Sequence, residues 1–403
     1  MQSPFTEIYP LSTEVIRLPE GDRHVLTVNA EGFPVDWPNL YCTIRLRPSG
    51  ISCSTMQTHM TAVCMLHNWC SDRGIPLQER IETLDLFTME EIAALRFDMR
   101  HNRSPSRTKR RQSKVVGNPH WGMRLKAIGA YVRWHAEHVI SRMSARDERW
   151  PAARKRLDGV CEEIIGKIRT RKSKRKEGLE KETQAIFAQA ISLGDPSNLF
   201  AKRVQPRNLA LLAAYSEGGL RRGEGVGLKS VDLHLNVNAP YIEVERRPDD
   251  PDDTRAQEAN AKTLPHSVPI SPSMARILSD YMIYDRPAYP GAKKSPYVFL
   301  SQEGGPLSLS VVDQIFRTLR KVPGMPADFS SNSLRRTWND RAGDDAEELG
   351  IAPDLEMQIR NQAQGRVRHS SQAIEYQRGR LRRRGNDIAV KMQDMATRDG
   401  TNG

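Results

Sequence analysis

Leu209-Ala210-Leu211-Leu212-Ala213-Ala214-Tyr215-Ser216-Glu217-Gly218-Gly219-Leu220-Arg221-Arg222-Gly223-Glu224 reads as an apolar helix that breaks at a glycine pair. The break makes Arg221 project at the junction with a following helix. Glu224 stands three residues later, a spacing at which a carboxylate can orient a guanidinium. A glycine pair before a charged turn also joins ordinary helices, so the stretch gains meaning from its company.

That company follows in order along the chain. Asn260-Ala261-Lys262-Thr263 precedes Val268-Pro269-Ile270. Ser331-Asn332-Ser333-Leu334-Arg335-Arg336-Thr337-Trp338 carries a second arginine. Gln364-Gly365-Arg366-Val367-Arg368-His369-Ser370-Ser371-Gln372-Ala373-Ile374-Glu375-Tyr376 ends on a phenol. Two arginines, a lysine and a late tyrosine are the groups needed to attack a phosphodiester with a protein side chain. A phenol has a pKa near ~10, so at neutral pH it requires positive charge and a proton acceptor nearby. Two planar guanidiniums can hold the non-bridging oxygens as charge builds on them. A hairpin lysine is a suitable acid for the leaving 5′-hydroxyl. The 3′-phosphotyrosyl product conserves bond energy, so strands can be rejoined without ATP.

These stretches resemble the tyrosine recombinase (phage integrase) family. Residues 209–224, continued by Gly227-Leu228-Lys229-Ser230-Val231-Asp232-Leu233, are similar to its first arginine box, and residues 331–338 to the helix bearing its second arginine. Lys262 matches the family's β-hairpin lysine, and residues 364–376 its Gly-His stretch and nucleophilic tyrosine. The resemblance implies catalytic roles for Arg221, Lys262, Arg335 and Tyr376, with no cofactor and no metal. Two departures accompany it. The family's histidine three residues before the second arginine is Asn332, whose amide can donate to a phosphate oxygen but cannot move protons. Arg366 follows Gly365 where the family has histidine, and the interval to the tyrosine is one residue longer than usual. Either Arg366 or His369 takes that position. Loss of one such donor costs ~10²–10³ in rate, which slows catalysis without abolishing it.

Composition agrees with a nucleic-acid partner. The formal net charge is +12 and the sequence pI about 9.6, which favours a polyanion. A membrane surface would need an amphipathic helix with a large apolar face beside the lysines, and none reads that way. No apolar run approaches the ~20 residues of a membrane-spanning helix. Met1-Gln2-Ser3-Pro4-Phe5-Thr6-Glu7 lacks the order of a signal peptide, so a cytoplasmic, DNA-associated location is expected. Cys42, Cys53, Cys64, Cys70 and Cys161 form no C-x-x-C and match no histidine spacing, so they read as small buried residues rather than a zinc site or disulfide set.

The 403 residues allow several domains. The expected fold is mainly α with a small antiparallel β-sheet. An N-terminal β-containing arm covers residues 1–50, with β-prone runs at 24–28 and 40–46. A helical core-binding (SAM-like) domain follows at 51–153, a basic linker at 154–178, and a catalytic domain with its C-terminal tail at 179–403. Ser54 or Thr55 is expected to cap the first long helix, and Thr88 with Glu91 to form a capping box. Extended runs at 239–245 and 266–270 flank a mobile acidic segment, Asp249-Asp250-Pro251-Asp252-Asp253. Tyr281 and Tyr284 read as core. The basic segment 101–114 is either a solvated loop or a phosphate-contacting one, and the basic linker is open in the same way. Candidate DNA-contacting residues are Arg107, Lys109, Arg110, Arg111, Arg171, Lys172, Lys174, Arg175, Arg222 and Arg336.

The expected function is site-specific recombination or integration of double-stranded DNA for a mobile element. The resemblance implies a tetramer on DNA, with accessory recombinase or directionality proteins as further partners. The rival is a catalytically weakened DNA-binding accessory protein of the same fold, motivated by Asn332 and Arg366. A strand-nicking type IB topoisomerase shares the chemistry but would not need a specific site.

Overall fold

The computed structural model describes residues 9–101, 115–144, 146–168, 177–259 and 263–366. The chain divides into two compact units, residues 1–173 and 174–403.

The first unit opens with an antiparallel pair, β1 (Ser12–Arg17) and β2 (Arg23–Val28), in register from Ser12↔Val28 to Arg17↔Arg23. Residues 40–46, β-prone by composition, are helical instead. They complete α1 (Asp36–Tyr41) and continue as a wide π turn over Cys42–Leu46. The reason is tertiary: Tyr41, Cys42 and Leu46 all bury in the same core as the helices that follow, and packing outweighs the local preference. Val25 of β2 joins that core too, so the arm and the helical region share one interior.

Helix α2 (Cys53–Asp72) is capped not by Ser54 or Thr55 but by Ser52 just before them, whose hydroxyl accepts from Thr55 N. After α3 (Leu77–Glu82), α4 (Met89–Asp98) begins with the expected capping box: Glu91 N donates to Thr88 Oγ1 at 3.2 Å and Thr88 N to Glu91 Oε2 at 2.8 Å. In α5 (Asn118–Ser141) the apolar stripe Leu125, Ile128, Tyr131 and Val132 is fully buried. Residues 154–165, expected within a basic linker, lie in α6 (Trp150–Ile165). Leu157, Val160, Cys161 and Ile164 recur at helical spacing and enter the core, while the basic residues take the other face. Arg96 closes that helix by donating from Nη1 to Glu163 O and Ile164 O, both at 2.8 Å. The five cysteines are unpaired, and burial pushes the Cys42 and Cys70 thiols up to about 12, which makes them inert.

His135 gives this unit a pH dependence. Its ring stacks on Trp37 at 4.2 Å, and its Nε2 is buried without a hydrogen bond among the described residues. Burial, reinforced by His67, lowers its pKa from 6.5 to about 3. Burial lowers His24 and His59 as well. In this window the unfolded chain binds protons that the folded unit refuses. Stability is therefore complete above 6.5 and falls as the pH drops toward 3, by up to ~1.4 kcal/mol per pH unit for each such histidine. Tryptophan fluorescence reports mainly on this unit, which holds Trp37, Trp69, Trp121, Trp134 and Trp150 against Trp338 in the other. The urea midpoint is expected to be lower at about pH 5.5 than at about pH 7.5, and the difference to shrink in His135→Phe. An identical midpoint at both pH values would contradict this.

The second unit begins with Leu179 N donating to Thr337 Oγ1 at 2.8 Å, which pins the entering chain to a later helix. Helices α7 (Lys181–Ile191), α8 (Gln205–Glu217) and α9 (Arg222–Gly227) precede a three-stranded antiparallel sheet. Its strands are β3 (Leu233–His234), β4 (Tyr241–Val244) and β5 (His266–Pro269), in sequential order. Helices α10 (Pro272–Asp280), α11 (Leu309–Leu319), α12 (Ser331–Glu348) and α13 (Pro353–Ala363) complete it. The core gathers Leu211, Tyr215, Ile242, Val268, Phe299 and Phe329. Tyr281 is buried as expected, but Tyr284 is 74% exposed, because the chain widens into a π turn after α10 and carries it off the buried face.

The acidic segment between β4 and β5 is tied down rather than loose. Lys229 Nζ donates to Asp250 and Asp252, Tyr297 Oη donates to Asp250 Oδ2, and the Arg255 guanidinium donates to both oxygens of buried Asp253. Asp250, Asp252 and Asp253 each have a cation placed on them from a sequence-distant or turn-adjacent position, which sequence spacing alone does not reveal. Among the described residues, no helix is long and apolar enough to cross a membrane.

Candidate active site

The site is built where α8 ends. The helix buries Leu211, Leu212, Ala214 and Tyr215 and stops at Gly218-Gly219. Gly219 adopts φ +59°, and a side chain there would stand 2.8 Å from the Trp338 ring, so only glycine makes this turn. The turn presents Gly219 O to Arg335, whose Nη1 donates to it at 2.6 Å. Arg221 then starts α9. Tyr215 Oη reaches back to Arg222 O at 2.8 Å and holds the corner.

Glu224 is the centre of the arrangement. Its side chain is completely buried. Oε2 accepts from Arg221 N at 2.7 Å, and Oε1 accepts from Arg221 Nη1 at 2.9 Å and Thr263 Oγ1 at 2.9 Å. Arg335 Nη1 lies 3.6 Å from Oε2 as an ion pair. One carboxylate therefore orients guanidiniums from two sequence-distant boxes, and through Thr263 it touches the residue after Lys262. Burial raises the Glu224 pKa, but the charges of Arg335 and Arg221 and the Arg221 hydrogen bonds outweigh it, leaving the carboxyl net below its usual range. The i, i+3 pairing read from the sequence is present; the shared use of Glu224 by Arg335 and Thr263 is additional.

The end of α13 closes the other side. Arg221 Nη1 also points at Gln364 O, at 3.4 Å. Arg366 N donates to Asn361 O at 2.8 Å, and Leu264 N donates to Gly365 O at 2.9 Å. This brings the Gly365-Arg366 stretch beside β5, with Arg366 only 7% exposed. A cavity of about 610 Å³ opens here, lined by His266, Ser267, Asn361, Gly365 and Arg366 among others. Asn332, by contrast, lies exposed on the first turn of α12.

The structure thus brings Arg221, Arg335 and Arg366 to one region. Arg222 and Arg336 have protein partners: Arg222 Nη1 donates to Asp313 at 2.5 Å, and Arg336 donates to Glu177 O and Ser333 Oγ, both at 3.1 Å. Lys262, His369 and Tyr376 lie outside the described residues. So do Arg107, Lys109, Arg110, Arg111, Arg171, Lys172, Lys174 and Arg175. Sequence reading missed His266. A signal existed, since strand alternation puts His266 on the face of buried Val268, two residues on.

Residues 180–341 match the model of the phage integrase family. That span contains Arg221, Lys262 and Arg335 and ends before Gly365. No curated protein matches the chain. Among solved structures, the XerA recombinase is 15% identical, covering 85% of this chain and 92% of its own, with a TM-score of 0.36. XerH site-specific recombinase bound to palindromic difH substrate, in a post-cleavage complex, is 14% identical, covering 76% and 86%, at 0.43. The Tn1549 transposon integrase in complex with transposon right end DNA is 14% identical, covering 87% and 100%, at 0.48.

Proposed function

We propose, from the match of residues 180–341 to the phage integrase family model, that this protein is a metal-independent, tyrosine-type site-specific DNA recombinase of a mobile element. The observation that carries the reading is Glu224, buried between Arg221 and Arg335 and bonded to Thr263. A carboxylate with that many donors fixes two guanidiniums in one geometry before any ligand arrives. Preorganised charge of this kind stabilises a transition state without reorganisation at the moment of reaction.

In the proposed reaction Arg221 and Arg335 bind the non-bridging oxygens of the scissile phosphate. The Tyr376 phenol attacks phosphorus, forming a 3′-phosphotyrosyl bond as the bond to the 5′-oxygen breaks. Lys262 protonates the leaving oxygen. The reverse steps, with a 5′-hydroxyl from another duplex, complete recombination. A tetramer on two duplexes is the assembly this exchange requires, with accessory proteins as further partners. Arg366 adds positive charge at the cavity; it cannot act as an acid or base at neutral pH.

A nicked suicide duplex, from which the short cleaved strand diffuses away, tests this. Wild type is expected to form a covalent protein–DNA adduct on cognate DNA, and Tyr376→Phe none. Absence of an adduct from wild type would favour the accessory-protein reading, for which exposed Asn332 in place of a histidine is the supporting observation.

A further inference from the structure

We propose that Thr263 is a positioning residue of this site, whose hydroxyl locks the Glu224 carboxylate in the one plane that aims Arg221 and Arg335. The proposal rests on the strand-transfer reading above.

The last torsion of a glutamate is broad and roughly two-fold, so a carboxylate keeps one plane only if a stiff donor holds each oxygen. Oε2 of Glu224 has such a donor in the backbone: Arg221 N, at 2.7 Å. The same oxygen lies 3.6 Å from Arg335 Nη1. Oε1 accepts from Arg221 Nη1 and from Thr263 Oγ1, both at 2.9 Å. The first of these sits at the end of a long chain of rotatable bonds. Thr263 is therefore the stiff donor on this side, its χ1 restricted by branching at Cβ.

Thr263 is itself fixed. It is 7% exposed, and the next residue, Leu264, donates its N–H to Gly365 O at 2.9 Å. Gly365 has φ +57°, and a side chain on it would stand 2.4 Å from Leu264 O. Only glycine lets the two segments close. A carboxylate can only accept, so the hydroxyl points its hydrogen at Glu224. The Glu224 side chain has no exposed surface, and bulk water does not stand ready to replace a deleted donor.

Thr263 thus acts through Glu224. Without its hydroxyl, Oε1 is left to Arg221 Nη1, the carboxylate plane can turn, and the two guanidiniums lose their common aim. The loss falls on the transition state, where charge must be met in one geometry, more than on the binding of DNA.

The test is single-turnover adduct formation by the full chain on the nicked duplex, with DNA binding measured by mobility shift. Thr263→Val keeps the shape and deletes the donor. It is expected to bind DNA as wild type does and to react ~10-fold or more slowly, the worth of a hydrogen bond to a charged group. Thr263→Ser is expected to rescue the rate to within ~3-fold of wild type. On a duplex with a methylphosphonate at the scissile phosphate, the gap between wild type and Thr263→Val should shrink, because the guanidiniums have less charge to meet. A gap of equal size on both duplexes, the mark of a merely structural role, overturns the proposal. So does a Thr263→Val enzyme with the wild-type rate, or a Thr263→Ser enzyme as slow as Thr263→Val. Should Thr263→Val not fold, Thr263→Cys carries the comparison, since a thiol is a weak donor. A rate below that of Thr263→Ser then supports the proposal, and an equal rate overturns it. In each of these failures wild type still forms its adduct and the recombinase reading stands. A wild type that forms no adduct overturns both.

Discussion

Glu224→Ala is expected to destabilise the second unit by ~3–5 kcal/mol, because removing one partner of a buried ion pair leaves the other charges uncompensated. Arg335 is 2% exposed and would keep its charge beside an empty carboxylate site. Arg221 N and Thr263 Oγ1 would lose their acceptor as well. The two guanidiniums would then repel each other across the proposed phosphate site, and adduct formation should fall by at least ~10²-fold. Glu224→Gln keeps the shape and can accept one of these bonds but removes the charge, so it should lie between the two. The pH response follows from the net lowering of the Glu224 pKa from 4.5. Its contribution is fully present above 4.5 and is lost as pH falls through the lowered folded value, and the Gln variant should lack that part of the acid response. Urea unfolding followed by helix content, beside the adduct assay, measures all three. An alanine variant with wild-type stability would show that the carboxylate does not hold the arginines.

Arg335→Lys is the second large effect, expected to slow adduct formation by ~10²–10³-fold while leaving most DNA affinity intact. The guanidinium uses Nη1 to hold Gly219 O at 2.6 Å and lies 3.6 Å from Glu224. A planar fork can keep those contacts and still address a phosphate, whereas an ammonium is a single point charge on a flexible stem. Affinity should survive because it is spread over many phosphate contacts in a duplex complex. Mobility shift and single-turnover rates on the same duplex separate the two quantities. Equal losses of both would mean that Arg335 serves binding rather than the transition state.

The parts legible in the sequence were those set by local spacing. The break at Gly218-Gly219, the Arg221–Glu224 pair, the Thr88–Glu91 capping box and the helix at 331–348 all depend on neighbours within a turn or two. What escaped depends on tertiary partners. Residues 40–46 carry a β-prone composition, yet their side chains fill a helical core. The acidic segment read as mobile because Lys229 and Tyr297, which hold it, come from elsewhere in the chain. Arg222 and Arg336 also carry intramolecular partners that local spacing does not reveal, Asp313 and the Glu177 carbonyl from distant positions. The close approach of Gly365 to His266 joins positions far apart in the chain, which no local spacing reveals.

In the proposed reaction Arg221 and Arg335, clamped by Glu224, neutralise charge on the scissile phosphate. A methylphosphonate at that phosphate removes one non-bridging negative charge and so isolates what the two guanidiniums serve. On the natural phosphodiester, Arg335→Ala should be slower than wild type by ~10²-fold or more. On the methylphosphonate duplex this gap is expected to narrow by at least ~10-fold, because the charge Arg335 serves is gone. A gap of the same size on both duplexes would contradict it.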